Sequence, residues 1–257
     1  MDRLARAGYL AHAELPAYQR RVAEAWRLTA EAAELGSVAV MVSGGKDSLI
    51  MAHIARAVLG DFFRGFFIDS GAEHPEALKT IETMRAGGYS IETINPERTV
   101  IDMLKLIGAL GYDGPDKLEG DWHWAAGDYK RILISEPAAA IRDMGYPVAL
   151  VGLRADESRG RAMSMRKYGP IRERRDGAII ACPLAWWTGE DIFAYALTHD
   201  LPLSEIYTRE SDEAFERRRT GTMLGGSGGR QGRWARLKRD WPDVWLRLTE
   251  TFPELER

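Results

Sequence analysis

The chain has one cysteine, Cys182, among its 257 residues. A single thiol excludes an intramolecular disulfide framework, a multi-cysteine zinc site and a four-cysteine iron–sulfur cluster within the chain. The five histidines show no spacing typical of metal ligands. We therefore expect neither an iron–sulfur cluster nor zinc. We interpret Cys182, which follows an apolar run, as a buried and inert thiol.

The sequence also lacks a long apolar run and a large excess of one charge. No run approaches the ~20 residues of a membrane span, and polar residues interrupt the N-terminus where a signal peptide would have its apolar core. The chain has 35 basic and 38 acidic residues, a net charge of −3. This balance gives no whole-chain argument for nucleic-acid or membrane binding and leaves a local basic patch open. The sequence predicts a cytoplasmic protein that does not bind membranes.

Short apolar runs alternate with helical patterns along most of the chain. We predict strands in residues 37–42, 65–68, 90–96, 147–153 and 178–183. Apolar residues make up 45% of the chain, which favours a packed core over disorder. Strands separated by helices are typical of βαβ units. We therefore predict an α/β fold, a three-layer α/β/α sandwich with a mainly parallel sheet of roughly five strands, as in doubly wound folds.

The pattern also predicts three parts of the chain. Residues 1–36 form an N-terminal helical segment, and residues 37–207 form the α/β domain. Residues 208–257 form a basic, helical or irregular C-terminal segment with a Gly/Arg-rich loop and a helix.

The hexapeptide SGGKDS, residues 43–48, lies between the first predicted strand and a helix. Two glycines let backbone N–H groups approach a polyphosphate, and the helix N-terminus adds a partial positive charge. Ser43 and Ser48 can donate hydrogen bonds, and Lys46 can neutralise phosphate oxygens. The spacing differs from that of the P-loop, GxxxxGK[ST]. The alternative is an ordinary turn with Asp47 as the helix N-cap.

Polar residues follow other predicted strands too. Parallel sheets bind ligands at the carboxyl ends of their strands, so Asp69-Ser70-Gly71 and the segment that begins at Arg154 are candidate site residues. Arg154 can form a bidentate bond to phosphate or sulfate. Glu157 can orient that guanidinium or help to hold magnesium. The alternative for Asp69 is a turn closed by its own carboxylate.

The SGGKDS hexapeptide resembles the SGGxDS signature of the PP-loop N-type ATP pyrophosphatases. The resemblance implies that the chain binds ATP with magnesium and cleaves it between the α- and β-phosphates. Two further segments, GLRADESRGR (residues 152–161) and CPLAWWTGEDIFAYALTHDLPLSEIY (residues 182–207), resemble the phosphoadenylylsulfate reductase branch. That branch includes reductases, the small subunit of ATP sulfurylase, FAD synthetases and DNA phosphorothioation pyrophosphatases.

The chain departs from that branch at its cysteines. Reductases of the branch have a catalytic cysteine near the C-terminus, whereas this chain ends in TFPELER. Relatives that hold a cluster have cysteine pairs where this chain has Ala125 or Ala126, and Thr222 and Gly225. The resemblance therefore implies a cysteine-poor member that is not a thiol-dependent reductase.

Residue chemistry and the resemblance together assign the candidate site. The expected catalytic residues are Lys46, Asp47 and Arg154, with Asp47 either facing a metal or capping the helix. The expected contacts to ATP and pyrophosphate are Ser43, Gly44, Gly45, Lys46, Ser48, Asp69, Ser70, Gly71 and Gly152. The expected contacts to an acceptor or to phosphate are Glu157, Ser158, Arg159, Arg161, Arg219 and Arg230. We interpret Trp186, Trp187, Ile192 and Tyr195 as core residues, and Thr188 as a helix start.

Two segments are strongly basic. Residues 159–175 have seven basic residues and one acidic residue, and residues 217–239 have eight basic residues and no acidic one. Each is either a solvated loop or a contact surface for phosphates. The second segment can also close over ATP as a flap, or meet nucleic acid or an acidic partner.

The sequence thus predicts an ATP pyrophosphatase or adenylyltransferase in sulfur metabolism or in the sulfur modification of nucleic acid. The alternatives are an enzyme like the sulfate adenylyltransferase small subunit and an enzyme like FAD synthetase. An alternative of another class is a catalytically silent, nucleotide-binding regulatory protein. The expected cofactors are ATP and Mg²⁺. The sequence does not identify the acceptor. It leaves open whether the partner is a nucleic acid, a sulfur-carrier protein or another protein, and whether the chain forms a homodimer.

Overall fold

The computed structural model describes residues 3–107, 131–208 and 229–256. These residues form two compact units. The first unit takes its residues from Met1–Phe67, Pro75–Thr93 and Ala140–Thr220, and the second from Ile68–His74, Ile94–Ala139 and Gly221–Arg257. The predicted division at residues 36 and 207 stays a prediction.

A six-stranded sheet organises the first unit. Its strands are β1 (Val38–Met41), β2 (Gly65–Ile68), β3 (Ile91–Ile94), β4 (Val148–Leu150), β5 (Ile171–Glu173) and β6 (Ile179–Ala181). The spatial order is β3-β2-β1-β4-β6-β5. β1 pairs in parallel with β2 and β4, and β4 pairs in parallel with β6, whereas β5 pairs antiparallel with β6. The predicted α/β fold with a mainly parallel sheet is confirmed.

Ten α-helices lie in the described ranges. They are α1 (Arg3–Ala13), α2 (Pro16–Glu34), α3 (Lys46–Leu59), α4 (Pro75–Ala86), α5 (Val100–Ile107), α6 (Glu136–Asp143), α7 (Arg159–Tyr168), α8 (Gly189–Thr198), α9 (Gly229–Asp240) and α10 (Pro242–Thr251). The chain moves outward from β1 to β2 and β3, and α3 and α4 are the connections between these strands. Its return to β4 runs in the opposite direction, so the strand order reverses between β1 and β4. Such a reversal is where parallel sheets bind ligands.

The strand predictions agree with the structure except at one edge. Each predicted run contains an observed strand, and β5 is the strand that the sequence analysis missed. The single predicted helical segment before β1 is two helices, with Pro16 at the first position of α2, where its missing N–H costs nothing. Trp186, interpreted as a core residue, is 42% exposed, whereas Trp187, Ile192 and Tyr195 are buried.

The start of α8 is tied to the two N-terminal helices. Thr188 and Asp191 form a capping box, in which each side chain accepts a hydrogen bond from the other residue's backbone N–H. Asp191 is fully buried and also binds the Arg21 guanidinium and the His12 ring. The indole of Trp187 donates to the Arg21 carbonyl at 3.1 Å. These contacts fix the segment before α8.

Aromatic rings pack against one another in the second unit. The ring of His74 lies 4.5 Å from that of Trp241, and the rings of Trp234 and Trp245 are 6.3 Å apart. None of the described helices is both long enough and apolar enough to cross a membrane.

Candidate functional site

The turn after β1 requires glycine. Gly44 has a φ of 70°, and a Cβ atom there would lie 2.3 Å from the Ala77 carbonyl oxygen. The turn can therefore pass beneath α4 only without a side chain at this position. Gly45 is the N-cap residue of α3, and the helix begins at Lys46. The sequence prediction of a strand, a glycine turn and a helix N-terminus at SGGKDS is thus found in the structure.

Two serines close this turn on itself. The Ser48 hydroxyl donates to the Gly45 carbonyl at 3.0 Å, and it accepts from the backbone N–H and the hydroxyl of Ser43, both at 3.1 Å. Ser48 is buried, whereas Ser43 is exposed. Ser48 therefore holds the shape of the turn, and Ser43 is the serine with access to solvent.

Lys46 is buried at the first position of α3, with 2% of its surface exposed. Its ammonium lies 3.1 Å from the Asp47 carboxylate and 5.4 Å from the centre of the Tyr207 ring. Its backbone N–H, which has no acceptor within the helix, donates to the Tyr207 hydroxyl at 2.9 Å. Tyr207 thus contacts both the backbone and the side chain of Lys46.

Arg154 follows β4 and is also buried, with 2% of its surface exposed. Its guanidinium donates to Asp47 at 2.5 Å, to Asp156 at 3.2 Å and to the Trp187 carbonyl at 3.4 Å. Two cations from opposite sides of the sheet's strand-order reversal therefore share the carboxylate of Asp47. An unpaired buried cation would carry a large desolvation cost, which this shared carboxylate offsets.

The position of Asp47 distinguishes between its two expected roles. Gly45 occupies the N-cap, and Asp47 is the second residue of α3. One carboxylate oxygen faces Lys46 and the other faces Arg154. The geometry therefore favours Asp47 as the anion that holds both cations in place.

Gly152 brings the loops after β1 and β4 together. A Cβ atom at this position would lie 2.8 Å from the Asp47 carbonyl oxygen. The backbone after β4 can therefore approach the first turn of α3 only because residue 152 is glycine. The role of Gly152 here is close packing of the two loops.

The segment after Arg154 is held by Glu157. The Glu157 carboxylate accepts the backbone N–H of Arg154 at 3.1 Å and forms an ion pair with Arg161. Ser158 caps α7 by accepting from the backbone N–H of Arg161 at 3.2 Å. Arg159 is exposed. Glu157, Ser158 and Arg161 therefore have structural partners, and Arg159 projects into solvent.

Asp69, Ser70 and Gly71 belong to the second unit. Asp69 accepts the backbone N–H of Gly71 at 2.9 Å, which is the local turn that the sequence left open. Glu73, which the sequence analysis did not single out, accepts from the N–H and hydroxyl of Ser70 and from the N–H of Ala72. Burial raises the pKa of Glu73 despite these bonds.

Two of the expected site residues fall wholly or partly outside the described part of the chain. Arg219 lies outside the described residues, as do Ala125, Ala126, Thr222 and Gly225, and so does the side chain of Arg230. In the described part of the chain, no three His, Cys, Asp or Glu side chains are grouped to hold a metal ion. Cys182 is fully buried, and this burial raises the pKa of its thiol to about 11.

Besides Glu73, sequence reasoning missed Tyr207, which contacts Lys46. Tyr207 ends the LPLSEIY segment, which resembles the reductase branch. That resemblance predicts no role for the tyrosine. The contact with Lys46 joins residues 161 positions apart. Only the folded chain reveals it.

A mainly parallel sheet, with a glycine turn and two buried cations beside its strand-order reversal, defines an α/β protein with a candidate anion-binding site. Within this class, the chain belongs to the phosphoadenosine phosphosulfate reductase domain family, whose model matches residues 37–217.

Individual relatives are more distant. An uncharacterized protein of Methanocaldococcus jannaschii is 27% identical over 84% of this chain and 42% of its own length. The chain therefore spans less than half of that relative. An adenosine 5'-phosphosulfate reductase of Burkholderia cepacia is 27% identical over 73% of this chain and 72% of its own. The crystal structure of Candida glabrata FMN adenylyltransferase matches the fold with a TM-score of 0.52 and 16% identity, covering 79% of this chain and 64% of that one.

Proposed function

We propose that the chain is an ATP pyrophosphatase or adenylyltransferase that binds the polyphosphate of ATP at the turn after β1. The observation that carries the proposal is the pair of buried cations, Lys46 and Arg154, held by Asp47 beside a glycine turn at a helix N-terminus. Phosphates bind at such N-termini because the first N–H groups of the helix have no acceptor within it. In α3 these include the N–H groups of Asp47 and Ser48.

Asp156 is the partner of Arg154 that a phosphate can replace most easily. Asp156 is largely exposed, so water screens its ion pair with Arg154. Asp47 is largely shielded and stays as the anchor of both cations. In this proposal a phosphate of ATP takes the place of Asp156, while Asp47 keeps its contact with Arg154.

The proposed reaction is a displacement at the α-phosphorus. An oxygen of the acceptor attacks that phosphorus and forms a new P–O bond. The bond to the bridging oxygen breaks, and its electron pair leaves with pyrophosphate. Lys46, Arg154 and the N–H groups of the turn stabilise the charge that develops on the leaving group. Magnesium is expected to arrive on the phosphates of ATP, and no step of this proposal depends on its coordination by the protein.

We also infer that Cys182 is not a reductase thiol. The thiolate is the nucleophile in such chemistry, and burial raises the pKa of Cys182 to about 11. The proposal for this chain is therefore activation by ATP in sulfur metabolism or nucleic-acid sulfur modification. Transfer to sulfate or to FMN are the alternatives.

Pyrophosphate release from ATP tests the proposal. We expect the rate to fall by about 10²- to 10³-fold in Lys46→Ala, because a preorganised charge at the leaving group is lost. Lys79→Ala is the matched control, since Lys79 is exposed on α4 and pairs only with Glu205 in the described contacts. Undiminished release by a folded Lys46→Ala protein would contradict the assignment.

ATP labelled at the α-phosphate then identifies the acceptor. Sulfate, FMN and a nucleic acid are offered in turn, and the label moves to the one that the enzyme adenylylates. ATP binding without turnover in all mixtures would instead favour the catalytically silent, nucleotide-binding class.

A further inference from the structure

We propose that the exposed face of α7 is a binding surface for single-stranded nucleic acid. This α7 face consists of Arg159, Met163, Arg166, Lys167 and Tyr168. Binding to this surface is separate from the proposed ATP chemistry. It can therefore be measured without ATP.

Helical spacing places three of these side chains on one side of α7, and Lys167 and Tyr168 line a groove together with Met163 and Arg166. Arg159, Met163 and Arg166 are separated by four and three positions, which puts them on one side of a helix. Met165 lies on the opposite side, buried against Cys182 and Ala185. The helix is therefore fixed to the sheet by one side and presents the other to solvent.

The cations of this face have no acidic partners among the described residues. Within the described ranges, neither Arg159, Arg166 nor Lys167 makes an ion pair, whereas the neighbouring Arg161 is bound to Glu157. The whole chain carries a net charge of −3, so this excess of positive charge is local. An uncompensated basic surface of this kind attracts a polyanion.

Apolar groups lie among the cations. Met163 is 69% exposed and Tyr168 is 55% exposed. They line a shallow, open groove of 470 Å³ together with Ser164, Arg166 and Lys167. The Lys167 ammonium lies 5.0 Å from the centre of the Tyr168 ring.

The combination of groups selects the ligand. Cations alone would suit any polyanion, including an acidic protein segment. An exposed aromatic ring beside the cations favours single-stranded nucleic acid, because unpaired bases stack on the ring while phosphates contact the cations. A duplex hides its base faces and would gain only the phosphate contacts.

Fluorescence anisotropy with a labelled single strand of about 12 nucleotides tests the proposal. We expect the single strand to bind more tightly than a duplex of the same sequence. In Arg166→Ala/Lys167→Ala, the slope of log affinity against log salt should become shallower by about 1.4, since each lost contact to a single strand contributes about 0.7. The matched control is Arg6→Ala/Arg20→Ala, which removes two exposed cations from α1 and α2.

Substitution of Tyr168 distinguishes a nucleic-acid ligand from an acidic protein ligand. Tyr168→Ala should weaken binding roughly tenfold at every salt concentration without changing the slope, and Tyr168→Phe should retain the affinity. Circular dichroism confirms that these surface variants are folded. The proposal would be overturned if single strand and duplex bound with equal affinity, or if the two double variants lost equal affinity. It would also be overturned if poly-glutamate bound as tightly as the single strand and Tyr168→Ala left that binding unchanged.

Discussion

At the scale of single residues, Gly44 sets a limit on what the turn after β1 tolerates. Its φ of 70° disfavours any side chain, and its close approach to the Ala77 carbonyl leaves no room for one. Gly177 has a similar φ of 78°, but open space surrounds it. Comparing an alanine substitution at each glycine therefore distinguishes the cost of backbone strain from the cost of steric overlap.

We expect Gly177→Ala to lower the free energy of unfolding by about 1–3 kcal/mol, which is the cost of a side chain in this backbone conformation. Gly44→Ala should cost more, because α4 must also move away from the turn, and it should weaken ATP binding. Urea unfolding and nucleotide titration measure the two effects. Equal losses of stability in the two variants would show that the contact with Ala77 does not constrain the turn.

The same scale shows what local sequence can and cannot predict. SGGKDS predicts a phosphate-binding role for Lys46 because its neighbours in the chain define the turn. The roles of Asp47 and Tyr207 depend on partners that lie 107 and 161 positions away. No local pattern contains that information, so the sequence left Asp47 between two roles and passed over Tyr207.

At the scale of secondary-structure elements, Asp191 holds α8 against α1 and α2. Burial alone would raise the pKa of Asp191, but hydrogen bonds from Arg21, His12 and the Thr188 N–H outweigh it and hold the pKa below its usual value. A carboxylate of this kind stabilises the fold above its unfolded pKa, near 3.9. That contribution is lost as the pH falls through the lower pKa of the folded state.

We expect Asp191→Asn to lower the free energy of unfolding by about 3–5 kcal/mol at neutral pH, because Arg21 loses its buried partner. The difference from the unchanged protein should shrink below about pH 4. Urea unfolding across pH 3 to 7 measures both effects. Glu24→Gln, which removes an exposed partner of Arg27, should cost about 0.5 kcal/mol or less. A pH-independent difference for Asp191→Asn would contradict the role of the carboxylate charge.

Strand β5 shows why the elements were not all predicted. Its three residues, Ile-Arg-Glu, contain one apolar side chain, and it pairs only with β6 at the edge of the sheet. The buried runs of β1 and β4 are visible in the sequence because both faces of those strands are covered. An edge strand lacks that pattern, and its pairing arises only when β6 is already in place.

At the scale of the whole molecule, Cys182 reports on the opening of the fold. It is the only thiol in the chain, it is fully buried, and burial raises its pKa to about 11. A thiol reagent needs both access and a thiolate, so it can react only when the protein opens. The labelling rate at neutral pH therefore measures the population of open molecules.

Ligand binding links this readout to the proposed site. ATP that binds the folded state alone lowers the open population, by about 100-fold at a ligand concentration 100 times the dissociation constant. We expect ATP to slow the labelling of Cys182 accordingly and to leave its rate unchanged in Lys46→Ala. Protein unfolded in urea should label quickly with or without ATP, which controls for effects on the reagent. Fast labelling of the native protein would contradict the burial of the thiol. Slow labelling that ATP does not alter would contradict nucleotide binding, because Cys182, Lys46 and Arg154 belong to the same compact unit.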